Sequence, residues 1–167
     1  MTASKGSRAS KASKKADGRH IRLLAHNVRS LWNVGSFFRT ADAFAVEHIY
    51  LTGYTGLPPR KEITKTAIGA EAFVPWEHAD DPLPLLEQLR SEGWQIAALE
   101  LAAHAQPIDA FHPGDRVCLV VGHELDGVPA PLLARSDVVL AIPMLGRKES
   151  LNVAVAAGIA LHYLRSR

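Results

Sequence analysis

The chain is short of cysteine and of long apolar runs, and each shortage removes a class of protein. One of its 167 residues is cysteine, so no disulfide framework holds it together. That residue, Cys118, stands inside the apolar run "VCLVV", where a buried core thiol is expected rather than a nucleophile. A lone thiol also suits a reducing compartment. No apolar stretch approaches the ~18–20 residues that cross a bilayer, and the N-terminus lacks the apolar core of a secretion signal. The chain therefore reads as cytosolic, with no membrane partner.

The common nucleotide and hydrolase signatures are absent too. No G-x-G-x-x-G follows the first apolar run, and "GHELDG" at 122–127 lacks the Lys-Ser/Thr of a phosphate loop. No G-x-S-x-G elbow occurs. The eight histidines form no i, i+4 ligand pair, and His123-Glu124 is not followed by the second histidine of a zinc protease helix, so no metal centre is expected.

What the chain does have is an uneven charge. Its net charge of +2 divides into seven basic residues and one acid, Asp17, over residues 1–22, against 12 basic and 16 acidic residues in the remainder. Residues 1–18, rich in Ser, Ala, Gly and Lys, hold no large apolar side chain to offset chain entropy, and are expected to form a disordered basic arm ahead of a single domain over 19–167. The arm either contacts phosphates, making affinity fall steeply with salt, or only solubilises the chain.

Along the domain, continuous aliphatic runs alternate with helical patterns. Residues 21–26, 46–52, 94–100, 117–122 and 137–142 read as strands buried on both faces of a parallel sheet. Helices are expected over 33–45, over 81–93 after Asp81, over 128–136, and from about Ser150 onward. This alternation predicts a single α/β fold, a mostly parallel sheet with flanking helices and ligand loops at the carboxyl ends of the strands. Residues 53–70 read as a long loop with one helical turn.

Three segments carry chemical signal. In residues 27–44 the apolar stripe Val34, Phe37, Phe38, Ala41 and Phe44 faces one way, and Arg39 falls roughly 160° from it at 100° per residue. Arg39 is either a solvated arginine or, with Asn27, Arg29, Ser30 and Asn33, part of a phosphate-binding strand-to-helix junction. In residues 119–129 a buried strand ends at Gly122, and Glu124 and Asp126 occupy a turn closed by Gly127. Those acids either favour a helix N-terminus, or Glu124 accepts hydrogen bonds from a ligand or an arginine beside the Gly122 backbone. In residues 142–164 an apolar strand end, Ile142-Pro143-Met144, leads through a basic loop to Ser150, expected as N-cap or first-turn hydroxyl, and then to a helix of small residues. Such a helix is buried or shared with a second subunit, and polar residues only at its mouth suit either a capped core helix or a ligand site.

Taken in this order, the three segments resemble the SpoU/TrmH family of the SPOUT superfamily, S-adenosylmethionine-dependent RNA 2′-O-ribose methyltransferases, over about residues 27–163. Asn33, Arg39 and Thr40 match the first motif; Gly122, Glu124 and Gly127 the second; Ile142 to Met144 and Ser150 to Val153 the third. His123 stands where many members have Asn, and Ala154 where Ser is frequent. The resemblance implies a deep trefoil knot over roughly residues 116–164, a homodimer, and S-adenosylmethionine bound beside Leu99, Gly122, Ile142, Met144 and Leu151. It assigns catalysis to Arg39, with Asn33, Glu124, Ser150 and Asn152 positioning the reacting groups. A guanidinium with a pKa above about 12 is a poor base, so Arg39 either orients the ribose hydroxyl through the adjacent phosphate or acts deprotonated. The implied substrate is tRNA or rRNA, with tRNA favoured on size, and Arg60, Lys61 and Lys65 are available for RNA contacts. A non-catalytic RNA-binding module on the same fold, or an enzyme of small phosphorylated metabolites, are the alternatives.

Overall fold

Period-two alternation within each apolar run sorts the core into two clusters, one on each face of a single sheet. Ile21, Leu23 and Ala25 join one cluster while Leu24 joins the other. The computed structural model describes residues 18–167. The expected basic arm therefore lies outside the described residues except for Gly18.

Seven strands form the sheet: β1 (His20–His26), β2 (His48–Thr52), β3 (Trp76–Ala79), β4 (Gln95–Leu99), β5 (Gln106–Pro107), β6 (Arg116–Val121) and β7 (Val138–Ala141). Their order is β3-β2-β1-β6-β4-β7-β5, and every pairing is parallel. Five helices flank them: α1 (Leu31–Ala43), α2 (Lys61–Ala67), α3 (Pro82–Ser91), α4 (Ala130–Ala134) and α5 (Val153–Ser166). Helices α1, α2 and α5 cover one face; α3 and α4 cover the other. Among the described residues no helix is long and apolar enough to cross a membrane.

The five expected strands and four expected helices are present, shifted by a few residues at their ends. The fourth helix needs a correction. Ser150 is not its cap: α5 begins at Val153, and the Asn152 side chain accepts from the N–H groups of Ala154 and Val155 at 2.9 and 3.2 Å. The 53–70 stretch also holds more than one helical turn, because Ile63 and Ala67, four residues apart, both bury against α1 and so stabilise a seven-residue helix. Strands β3 and β5 were not expected. They lie at the sheet edges, one half polar and the other two residues long, and lack a continuous apolar run.

Two of the basic residues counted with the N-terminal arm belong to the fold. Arg19 donates to carbonyls of Gly114, Pro113, Leu164 and Arg167, tying the start of β1 to the C-terminal end of α5. Arg22 lies 4.2 Å from the Trp94 ring centroid and donates to the Tyr50 hydroxyl at 2.6 Å. Beneath that pair Cys118 is fully buried, and burial pushes its thiol up to about 12, against the opposing pull of Arg22. The thiol is a core group, as its surroundings in the sequence imply.

Helices α1 and α2 meet at Gly35, where a β-carbon would come within 2.0 Å of Thr66 Oγ1 and 2.3 Å of the Ile63 carbonyl oxygen. In an exposed helix Gly→Ala stabilises by about 1 kcal/mol. Here the sign reverses: Gly35→Ala is expected to destabilise by about 1–3 kcal/mol as α2 is forced off α1, measured by the denaturant midpoint. A stabilised variant would refute the close contact.

Candidate functional site

Strands β6, β4 and β7 are neighbours whose carboxyl ends open into one cleft of about 710 Å³ including its mouth. Leu99 at the end of β4, Gly122 after β6, Ile142 and Met144 after β7, and Leu151 before α5 all line it. Sequence reasoning placed these five residues together, and the fold brings them together. Gly122 is required by packing, since a β-carbon there would lie 2.2 Å from the Gly127 carbonyl oxygen across the turn.

Glu124 closes one side of the cleft. Its carboxylate accepts from the backbone N–H groups of Arg29 and Ser30, at 2.9 and 2.8 Å, and from Asn33 Nδ2 at 3.1 Å. Asn33 Oδ1 then accepts from Asn152 Nδ2 at 3.2 Å, and Asn152 caps α5. One chain of hydrogen bonds thus joins all three sequence segments. Burial by itself would raise the Glu124 carboxyl, but the N–H groups of Ser30 and Arg29, its own backbone N–H and the Asn33 amide outweigh that and hold it below the ordinary value.

This geometry narrows the phosphate-site reading of residues 27–39. The N–H groups of Arg29 and Ser30, just ahead of α1, are taken by Glu124 and that of Asn33 by Ser30 Oγ, so an internal carboxylate stands at the junction. Asn27 is likewise a turn residue: it has φ 53° and its Oδ1 accepts from the Tyr54 N–H at 3.0 Å. Glu124 meets backbone donors there and no guanidinium.

Ser150 lies exposed on the rim of the cleft. Arg39 is not in it. Arg39 is exposed on α1 and borders a separate groove with Thr40, Phe44, Val155, Gly158 and Ile159. On α5 the cleft takes Val153 and Ala156, and the groove takes residues 154, 155, 158, 159 and 162. At 100° per residue these sets point roughly 160° apart, so the body of α5 separates Arg39 from its own cleft.

Sequence reasoning missed Glu100 and His123. Both line the cleft and both shape the turn after β6. Glu100 accepts from the N–H groups of Val128 and Leu101, at 2.7 and 2.9 Å. The available signal was a lone acid ending a buried apolar strand. His123 Nδ1 accepts from the N–H groups of Leu125 and Asp126, both at 3.0 Å. Asp126 Oδ2 lies 3.6 Å from the same nitrogen, but a nitrogen that accepts two N–H bonds has no proton to donate, so the turn and not the ion pair fixes the ring.

Comparison with known proteins decides the family. The SpoU rRNA Methylase family model matches residues 20–162. The chain belongs to this family. It is 33% identical over 143 residues to the 23S rRNA (guanosine(2553)-2′-O)-methyltransferase of Bacillus subtilis (strain 168), covering 86% of this chain and 57% of that one. An AdoMet-bound rRNA methyltransferase from Sinorhizobium meliloti superposes with a TM-score of 0.84 at 29% identity, covering 90% of this chain and 57% of that one. A solved chain described for 2-OH methylation of C/U34 on tRNA gives a TM-score of 0.76 at 26% identity, covering 87% of this chain and 94% of that one. The chain thus spans little more than half the length of the first two proteins and nearly all of the third. At His123, where the resemblance gives asparagine in many members, the ring nitrogen accepts the turn's N–H groups.

The lowered Glu124 carboxyl links the site to stability. Its ionised form is favoured by folding, so its contribution is complete above the ordinary value of 4.5 and is lost as pH falls through the lower folded value. Denaturation of wild type and Glu124→Gln is therefore expected to show a stability gap at pH 7 that narrows only below about pH 4.5. A gap independent of pH down to acid unfolding would remove the carboxylate from this role.

Proposed function

We propose that this chain transfers a methyl group from S-adenosylmethionine to a ribose 2′-hydroxyl of RNA. The observation that carries the proposal is the Glu124–Asn33–Asn152 chain of hydrogen bonds at the mouth of the cleft, which couples the first, second and third motifs. The cleft suits the cofactor in its lining, apolar side chains around the backbone of a turn. Leu99, Gly122, Ile142, Met144 and Leu151 would hold it. When bound, it supplies an electrophilic methyl group on a sulfonium centre.

The chain's own residues must then position the hydroxyl and help its proton leave. Asn33 is fixed at both ends of its amide, by Glu124 and by Asn152, and so presents a rigid edge at the start of α1. Ser150 on the rim is free to meet the acceptor ribose. Arg39 binds the phosphate next to the reacting ribose and orients its hydroxyl. It does so across a dimer: Val155 and Ile159 are 51% and 41% exposed and form with Phe44 an apolar groove beside Arg39, a surface that a second copy would bury. Pairing through this groove delivers Arg39 to the other chain's cleft. The trefoil threading of residues 116–164 belongs to the same reading, supported by the similarity in fold to solved methyltransferases.

Transfer RNA is the favoured substrate and ribosomal RNA the second. What supports tRNA is the similarity to the solved protein described for 2-OH methylation of C/U34 on tRNA, 94% of which is covered. A single domain over 19–167, a phosphate-contacting basic arm and a cytoplasmic site of action complete the reading.

The test is transfer of labelled methyl to unmodified tRNA and, separately, rRNA, followed by digestion. Alkali-resistant labelled dinucleotides identify 2′-O methylation and name the RNA; label absent from both pools, with calorimetry showing the cofactor bound, counts against the activity. Arg39→Ala is expected to abolish transfer while leaving cofactor affinity within about twofold. Ile159→Lys is expected to shift the chain to monomer in sedimentation and to lower transfer with it. Full turnover by a monomer would exclude the shared site.

A further inference from the structure

The short segment 27–32 is held from three sides, and exposed aromatic rings stand on two of them. Asn27 Oδ1 fixes the Tyr54 N–H, and the Val28 N–H donates to Thr55 Oγ1 at 3.0 Å, so the loop after β2 is pinned to the segment. Arg29 and Ser30 bind Glu124 at the cleft. Thr66 Oγ1 donates to the Trp32 carbonyl at 2.8 Å, pinning α2 to the same segment.

Tyr54 is 62% exposed, and its ring stands edge-on to His123, with centroids 6.4 Å apart and planes at 76°. His123 lines the cleft, so the Tyr54 face lies next to the cleft mouth. Trp32 is 47% exposed, with Lys65 Nζ 5.7 Å from its centroid. Arg29, Arg60, Lys61 and Lys65 are the cations of this surface, and Glu62 is the acid of α2. Two large rings anchored through their backbones, with cations interleaved, do not pack a core. They match the pattern in which unpaired bases stack on aromatic faces while the backbone meets positive charge.

Resting on the reading that RNA is the substrate, we propose that Tyr54 and Trp32 form a stacking platform for unpaired nucleobases flanking the ribose presented at the cleft, with Lys61 and Lys65 meeting their phosphates. The platform makes the protein read a loop or single strand, because paired bases expose no face to it. Backbone anchoring fixes the points from which both rings project, so little backbone freedom is lost on binding.

The experiment measures binding of the full chain, saturated with S-adenosylmethionine, to a fluorescein-labelled single-stranded RNA 12-mer and to the same sequence in a duplex. Tyr54→Ala and Trp32→Ala are each expected to weaken 12-mer binding roughly 5- to 100-fold, leaving duplex binding and cofactor affinity within about twofold. Tyr54→Phe keeps the ring and is expected to bind like wild type. The chain has three tryptophans, and binding is expected to quench wild-type fluorescence, a quench that Trp32→Phe removes while retaining affinity. Unchanged 12-mer affinity in both alanine variants, equal losses for single strand and duplex, or no quench in wild type would overturn the platform. Because binding is read without turnover, absent methyl transfer with intact stacking would sink the proposed activity and leave the platform standing, while the reverse result would do the opposite.

Discussion

A single carboxylate holds the site together. Glu124 sits in a turn after the central strand β6, yet its bonds go to Arg29, Ser30 and Asn33, residues over ninety positions away in the chain. Partial burial of a carboxylate is costly, and three hydrogen bonds are what make it tolerable. The start of a helix favours negative charge, and Glu124 provides that charge from within the protein. Consequently the N–H groups of Arg29 and Ser30 are already engaged from within the protein.

The sheet order then determines where the ligand goes. Placing β6 between β1 and β4, and β7 beyond β4, brings three carboxyl ends side by side, each followed by a loop. The turn after β6 is kept flat by Gly122, where even a methyl group would strike the Gly127 backbone, and it is anchored by Glu100 and His123. Asn152 adds the last constraint, since one side chain both caps α5, a contribution of about 1 kcal/mol, and bonds Asn33. The Glu124 side of the cleft mouth is therefore tied to both α1 and α5.

Much of this was legible in the residues. Uninterrupted runs such as "VCLVV" mark strands covered on both faces, and Cys118 and Leu119 duly divide between the two clusters. Polar residues isolated at the entrance of α5 suited either a capped helix or a ligand site, and Asn152 caps the helix while Ser150 lies on the rim of the cleft. What was hidden depends on partners remote in sequence. Asn152 and Ser150 are both good caps by composition, and only the contact with Asn33 shows why the chain uses Asn152. Arg19 and Arg22 look like tail charges until the C-terminal carbonyls and Trp94 are in place. Strand β5, two residues at an edge, has no periodicity to read.

Helix α5 explains why motifs so close in the fold remain divided in one chain. Its first turns carry Val153 and Ala156 toward the cleft and Val155, Gly158 and Ile159 toward the groove. A helix is about 10 Å across with its side chains, so a guanidinium on the groove side stands away from the cleft on the other. Small residues at 154, 157, 158 and 160 keep the helix slender and let α1 and the sheet approach it closely. The exposed residues 155 and 159 sit on the side where Arg39 stands. On the proposed reading, an apolar face and a cation on the same side, opposite the cleft, are what a two-fold pair would use, each chain completing the other's site. Catalysis and assembly would on this geometry be a single equilibrium, with the dilute monomer retaining its cleft and lacking its arginine.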